Sequence, residues 1–375
     1  MKTALYSISI FVAAVIALNC GGCASSGQRV EVAFHDVPYT TEKNLRIGYT
    51  LKTWEFEKEN LELKKIIALD GVTGEELLVI DSDSIKAGVP KVYKDPLPPT
   101  DLVVWDKLTS YYISIQLPIP LGKTPPKTVT NRLVLSDKST QKEVVVTGGT
   151  FAPRLGEKPM VIASPLKGKN LIFINQSTME YHFYVLFFLK GGIPSPERYA
   201  ADTMQFNDAL TATLDGDPAK NESYFNYKSP LYAVADGTVV SAENGKPERN
   251  GNTHDVKMNT LMDYLGNYII LDIGGGRFAY YCHAVTGSVK VKAGDKVKEG
   301  DELAKLGNSG NSDAPHLHFH VCDGPDFASC KGLPFVLKNY TATGEVSPTG
   351  QPPVFLTPTS YTNAMMEQPT IFKVE

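Results

Sequence analysis

No long basic run occurs in this chain of 375 residues, and its net charge is −4. Without a concentrated positive surface nothing would neutralise a phosphate backbone, so no nucleic-acid partner is expected. Cysteine is scarce, at five residues. None lies within residues 30–150, which excludes an inter-sheet disulfide there. Sustained helical periodicity is also missing from that stretch. The uncharged apolar run from Ala4 to Leu18 falls short of the roughly 20 residues that a membrane-spanning helix needs.

What is present is a hydrophobic content of 42%, enough for a sizeable core and about two domains. Glycine and proline are frequent, at 31 and 25, and the strand-like runs are short and numerous, so a mostly β protein is expected. Residues 1–23 read as an export signal, with Lys2 ahead of the apolar run. The following "GGCASS" resembles a bacterial lipobox with Cys23 as the lipidated residue, although Cys20 stands where an aliphatic residue is usual. These features imply an exported, lipid-anchored protein of the bacterial envelope, in the periplasm or at the outer surface. Export also means an oxidising compartment, where a Cys322–Cys330 bridge could close "CDGPDFASC". Three buried thiols, with Cys282, are the alternative.

Residues 30–150 hold alternating runs such as "VEVAF", "LELKKIIAL", "SYYISIQLPI" and "NRLVLSD", separated by turn residues. They predict an immunoglobulin-like β-sandwich. His35 and Asp36 read as a solvated surface pair. "TGGTFAPRLGEKP" at 147–159 reads as a linker. A second β-rich domain is expected over 160–340, then an irregular Pro- and Thr-rich arm over 341–375. Within the second domain "PLYAVADGTVVSAENG" predicts strand, turn, strand at Asp236-Gly237, and "GNYIILDIGGGRFAYYCHAV" a hairpin turning at Gly274 to Gly276.

The densest chemistry lies in "GNSGNSDAPHLHFHV", where His316, His318 and His320 alternate with Leu317 and Phe319. Alternate side chains of a strand share a face, at about 6.6 Å along the backbone. Three imidazoles on one face suit a metal site, since zinc accepts His nitrogen and Asp oxygen alike. The loop Asn308 to Ser312 is either one wall of a substrate groove or a plain connector.

"SPLYAVADGTVV", "GNYIILDIGGGRFAYYCHA", "GSVKVKAGDKVKEGDELAKLGNSGNS" and "PHLHFHV" occur in that order. Together they closely resemble the lysostaphin/LytM-type zinc metallopeptidases, which cleave peptide cross-links of bacterial cell walls. The resemblance covers roughly 200–335 and implies an antiparallel β-sheet domain with a groove. It implies that His318 is a zinc ligand and that His283 and His316 are catalytic, handling protons and stabilising the tetrahedral oxyanion. It implies peptidoglycan stem peptides as substrate, and the segment after the histidines resembles a subgroup with an extra N-terminal β-domain, a surface for an envelope protein partner.

The family takes its other ligands from H-x-x-x-D. Here "ERYAADTMQFND" supplies Asp202, but Arg198 stands in place of the histidine, and a guanidinium has no free lone pair. Either another residue, His182 or His320, completes the set, or zinc binds weakly through Asp202 and His318 with extra waters, or the domain is degenerate. A degenerate domain would bind wall peptide or activate another hydrolase. His182 sits in the apolar "YHFYVLFFL", where a core histidine is the bland alternative. His320 occupies a place where the family often has Glu or Gln, which suggests a role behind the ligands or along the groove.

Overall fold

The computed structural model describes residues 29–88, 90–93, 110–174, 182–187, 193–253, 257–346, 352–367 and 369–375. The export signal and Cys23 lie outside the described residues.

The described residues of 30–151 form two antiparallel sheets packed face to face. One runs in the order Val30–His35, Asn44–Thr53, Tyr111–Pro120, Val92–Tyr93; the other is Glu76–Ile80, Leu61–Asp70, Val129–Asp137, Glu143–Phe151. Ile47, Tyr49 and Leu51, with Ile113, Ile115 and Leu117, bury one side of the first sheet. Leu63, Ile66, Leu133 and Leu135 meet them from the second. The two-residue spacing of the apolar positions sends one face of each strand inward. Tyr49 is the buried exception that needs a partner, and its hydroxyl donates to Asn131 Oδ1 at 2.8 Å. The last strand runs on to Phe151, so the segment expected to be a linker from 147 begins as sheet.

The second domain is built on an 11-stranded sheet. Its central run is Gly168–Ile174, Ala201–Gln205, Leu317–Cys322, Phe278–Cys282, Tyr268–Asp272, Gly237–Glu243, each antiparallel to its neighbour. The hairpin at Gly274 to Gly276 is present, with all three glycines at positive φ. The strands flanking Asp236-Gly237 do not pair with each other. Pro230–Tyr232 joins Glu302–Lys305, while Gly237–Glu243 joins Tyr268–Asp272. The Asp236 carboxylate is drawn aside by the Glu299 backbone N–H and the Lys298 ammonium.

The C-terminal arm is not irregular. Phe335–Glu345, Val354–Ala364 and Thr370–Val374 are strands of the large sheet. A Pro- and Thr-rich composition concealed β-branched and aromatic residues that suit strands. Pro358 is accommodated in an edge strand, where the register shifts between Ala342 and Gly344. Among the described residues no helix is long and apolar enough to cross a membrane.

Leu317, Phe319 and Val321 are fully buried in the main core, and Phe319 meets Tyr281 and Phe335 edge-on. This inward set fixes the histidines on the opposite face. Phe319→Ala should therefore lower unfolding stability by about 3–5 kcal/mol, read from urea titration. Val354→Ser, at an exposed edge position, should stay within about 0.5 kcal/mol.

Candidate metal centre

Strand register brings the chemistry together. On the antiparallel pair of Ala201–Gln205 with Leu317–Cys322, Asp202 lies directly opposite His318. The Phe278–Cys282 strand on the other side sets Tyr280 opposite His320. Directly opposed residues hold their Cβ atoms about 4.5–5.5 Å apart, so the Asp202–His318 pairing is in contact by construction. His318 Nδ1 is 2.9 Å from Asp202 Oδ1.

His182 arrives from outside the sheet. It opens a 3-10 turn, His182–Tyr184, rather than lying within the apolar strand expected from sequence. Its Nε2 is 3.1 Å from Asp202 Oδ2. His182, Asp202 and His318 each offer one ligand atom within 4.8 Å of one another, as do His283, His316 and His318. Both sets share His318. His182, Glu197, Asp202, His283, His316 and His318 line one cleft of about 330 Å³. Two imidazoles and a carboxylate are a donor set that fits zinc, and three protein ligands leave a coordination position for water or substrate.

The two remaining histidines are held from loops. His316 precedes the strand, and its Nδ1 lies 2.7 Å from the Ala314 carbonyl oxygen. His283 follows Phe278–Cys282 at a φ of 67°, an uncommon conformation for a residue with a Cβ. Its backbone N–H donates to Leu265 O at 2.9 Å and its Nδ1 lies 2.8 Å from Ser309 O. A carbonyl only accepts, so the Nδ1 atoms of His283 and His316 carry protons. When either ring is neutral, Nε2 holds the lone pair. The Asn308 to Ser312 loop thus positions His283 through Ser309, and Asn311 lines the cleft.

Electrostatics separate these groups. Burial alone would raise the Asp202 carboxyl, but the neighbouring His182 and His316 charges and hydrogen bonds hold it well below the usual carboxylate range. Burial, then the charges of His316 and His318, push His283 well below the usual imidazole range. His316 moves the other way: burial opposes its charge, yet Asp202 raises it. One neutral and one readily protonated imidazole side by side, with ring centroids 4.8 Å apart, form an acid–base pair.

Arg198 does not line the cleft. Its side chain is fully buried, its Nε donates to Asp36 Oδ2 at 2.8 Å, and its guanidinium carbon stands 3.8 Å from the Phe183 ring centroid. Asp36 is therefore no solvated neighbour of His35; it faces a buried cation from the other domain. His320 is absent from both metal-capable groups among the described residues. Its Nδ1 is 3.1 Å from His318 Nε2, and its ring stacks on Tyr280 at 4.5 Å. Glu197 was missed from sequence, where a single acid beside Arg198 carries no motif. Its Oε2 is 3.6 Å from His182 Nδ1. The Cys322–Cys330 bridge is not formed. Both are free buried thiols, packed with Cys282, Tyr280 and Phe327 in an apolar cluster where thiols behave as small hydrophobes.

An antiparallel sheet here brings histidines and an aspartate together in one cleft, as residue groups that could hold a metal ion. Residues 224–327 match peptidase family M23, in agreement with the LytM-type resemblance of that stretch. Asp202 and His182 lie ahead of the matched residues. Over 93 residues the chain is 29% identical to the peptidoglycan DD-endopeptidase ShyA of Vibrio cholerae serotype O1, covering 25% of this chain and 17% of that protein. It is also 29% identical over 93 residues to an uncharacterized metalloprotease of Buchnera aphidicola subsp. Baizongia pistaciae, covering 25% of this chain and 20% of that one. The chain thus spans a fifth or less of the length of these curated relatives. The catalytic domain of lysostaphin from Staphylococcus simulans is 24% identical, covering 32% of this chain and 85% of that domain with a TM-score of 0.22.

The proton on His182 is strongly held in the metal-free protein. Burial lowers its pKa, but Asp202 and Glu197 outweigh that and raise it to about 10. The folded value exceeds the ordinary 6.5, so this stabilisation is complete below pH 6.5 and disappears as pH rises toward about 10. Urea midpoints of metal-free wild type should fall over that window relative to His182→Gln. Parallel curves for the two proteins would contradict the assignment.

Proposed function

We propose that this protein is a zinc-dependent endopeptidase that hydrolyses peptide cross-links of peptidoglycan in the bacterial envelope. The observation that carries the proposal is the buried His182–Asp202–His318 set beside His283 and His316 in one cleft. In this reading His182 serves as the third ligand that Arg198 cannot provide. The match to family M23 and the 29% identity to a peptidoglycan endopeptidase support the substrate class.

In this reading His182, Asp202 and His318 hold the metal. His320, through its contact with His318 Nε2, fixes that ring's orientation, and Glu197 does the same for His182. Zinc, when bound, lowers the pKa of water toward neutrality and polarises a carbonyl. His283, whose burial favours the neutral ring, accepts a proton at Nε2. His316 keeps its proton more readily and donates from Nε2 to the leaving amine. Both Nδ1 atoms remain tied to backbone carbonyls throughout, so each ring works through one nitrogen. Cys23 anchors the chain to the membrane by a lipid, and the N-terminal sandwich is the surface open to an envelope protein partner.

A second reading follows from Arg198. A domain that has lost the usual histidine could bind wall peptide, or activate another hydrolase, without turnover. Metal content and cleavage separate the two. About one zinc per purified chain is expected, with chelator-sensitive cleavage of cross-linked wall fragments. His283→Ala and His316→Ala should each keep the zinc and lose about 10²–10⁴-fold in turnover. A chain that takes up no zinc, and a His318→Ala variant that keeps its cellular role, would refute the enzyme reading.

A further inference from the structure

Arg198, at the position where the resemblance implies a histidine, links the two domains. Arg198 is fully buried, and beyond its ion pair with Asp36 its Nη1 donates to Ser114 Oγ at 3.2 Å and to the Phe183 carbonyl at 3.3 Å. Asp36 and Ser114 belong to the N-terminal sandwich. Phe183 is the residue immediately after His182. The Arg198 guanidinium therefore bridges the sandwich and the turn that presents a candidate ligand.

Further contacts fasten the same turn to the sandwich. The Tyr93 hydroxyl donates to the Tyr184 carbonyl, and Leu186 is buried with Tyr93 and Tyr112. Tyr199 donates from its hydroxyl to Asp36 Oδ2 at 2.7 Å. Gly48 marks how closely the two domains approach. A Cβ there would stand 2.4 Å from the Tyr199 hydroxyl, 2.8 Å from Asp36 Oδ2 and 3.2 Å from Phe183 Cε2. Its φ is not in the left-handed region, so glycine is required here by space and not by backbone conformation. Among the described residues His182 reaches the cleft from a three-residue turn that lies outside the paired strands. By contrast, Asp202 and His318 are fixed by their sheet register.

We propose that the N-terminal sandwich is part of the metal centre: Asp36, acting through Arg198 and Phe183, positions His182 for metal binding. Asp36 and Arg198 are positioning residues and touch no ligand atom of the site. The inference rests on the proposed zinc reading, because its readout is metal affinity.

The test is a double-mutant cycle on the full chain, with zinc affinity measured by chelator competition. Asp36→Ala should weaken zinc binding roughly tenfold or more, the scale expected when a group orienting a ligand is removed. His182→Ala should weaken it at least as far, and the double variant should bind like His182→Ala alone. Asp36→Ala leaves a buried guanidinium unpaired and could fail to fold, so Gly48→Ala serves as a second probe that removes no charge. It should weaken zinc binding in the same direction, with a far-ultraviolet spectrum like that of wild type. Losses that multiply in the double variant, or Gly48→Ala and Asp36→Ala chains that fold and bind zinc as wild type does, would overturn the positioning role alone. A wild-type chain that binds no zinc would overturn both this inference and the enzyme reading.

Discussion

A buried carboxylate between two imidazoles is the interaction on which the site depends. Asp202 cannot stay ionised in the interior unless it is paired, because an isolated buried charge costs many kcal/mol. His318 meets one oxygen and His182 the other. The first contact follows from strand pairing and is nearly independent of side-chain choice elsewhere. The second depends on a short turn that needs support from another part of the molecule. The two halves of the same site are therefore held by different physics: one by backbone hydrogen bonds across a sheet, the other by packing and a buried ion pair between domains.

That division explains how an arginine can occupy a position where a ligand was expected. Once His182 is placed by the turn, position 198 is free to serve the interface. A guanidinium suits that task, since it can stack on Phe183 while donating to Asp36, Ser114 and a backbone carbonyl. A buried ion pair of this kind adds little net stability, but removing one partner leaves the other charge buried and unpaired at a cost of about 3–5 kcal/mol. A second polar contact ties the domains near the C-terminus, where Glu367 accepts from Thr41, Asn44 and Arg46.

Much of this is legible in the sequence. The alternation of Leu317, Phe319 and Val321 with histidines gave the inward and outward faces of the strand, because a strand has only two. The resemblance to LytM-type peptidases singled out Asp202, His283, His316 and His318, and all four line the cleft. What could not be read was long-range. Asp36 looked like a surface residue because its partner lies 162 positions away. His182 looked like a strand residue because its apolar neighbours suggest one; in fact Leu186 packs on Tyr93 and Tyr112 of the other domain, while Phe183 and Phe187 meet Tyr199 and Phe327 of their own. The C-terminal arm looked irregular because proline and threonine were counted as loop formers, while the sheet edge accepts both. The role of His320 was left open by the sequence, because its contacts with His318 and Tyr280 come from strand pairing and ring stacking that a single strand does not display.

The most direct measurement is zinc K-edge X-ray absorption on the zinc-loaded chain and on His182→Ala. If His182 completes the ligand set, the wild-type spectrum shows scattering from two imidazole rings on the metal, and His182→Ala shows one. Identical imidazole scattering in the two proteins, or a wild-type shell with a single imidazole, would contradict the proposed centre.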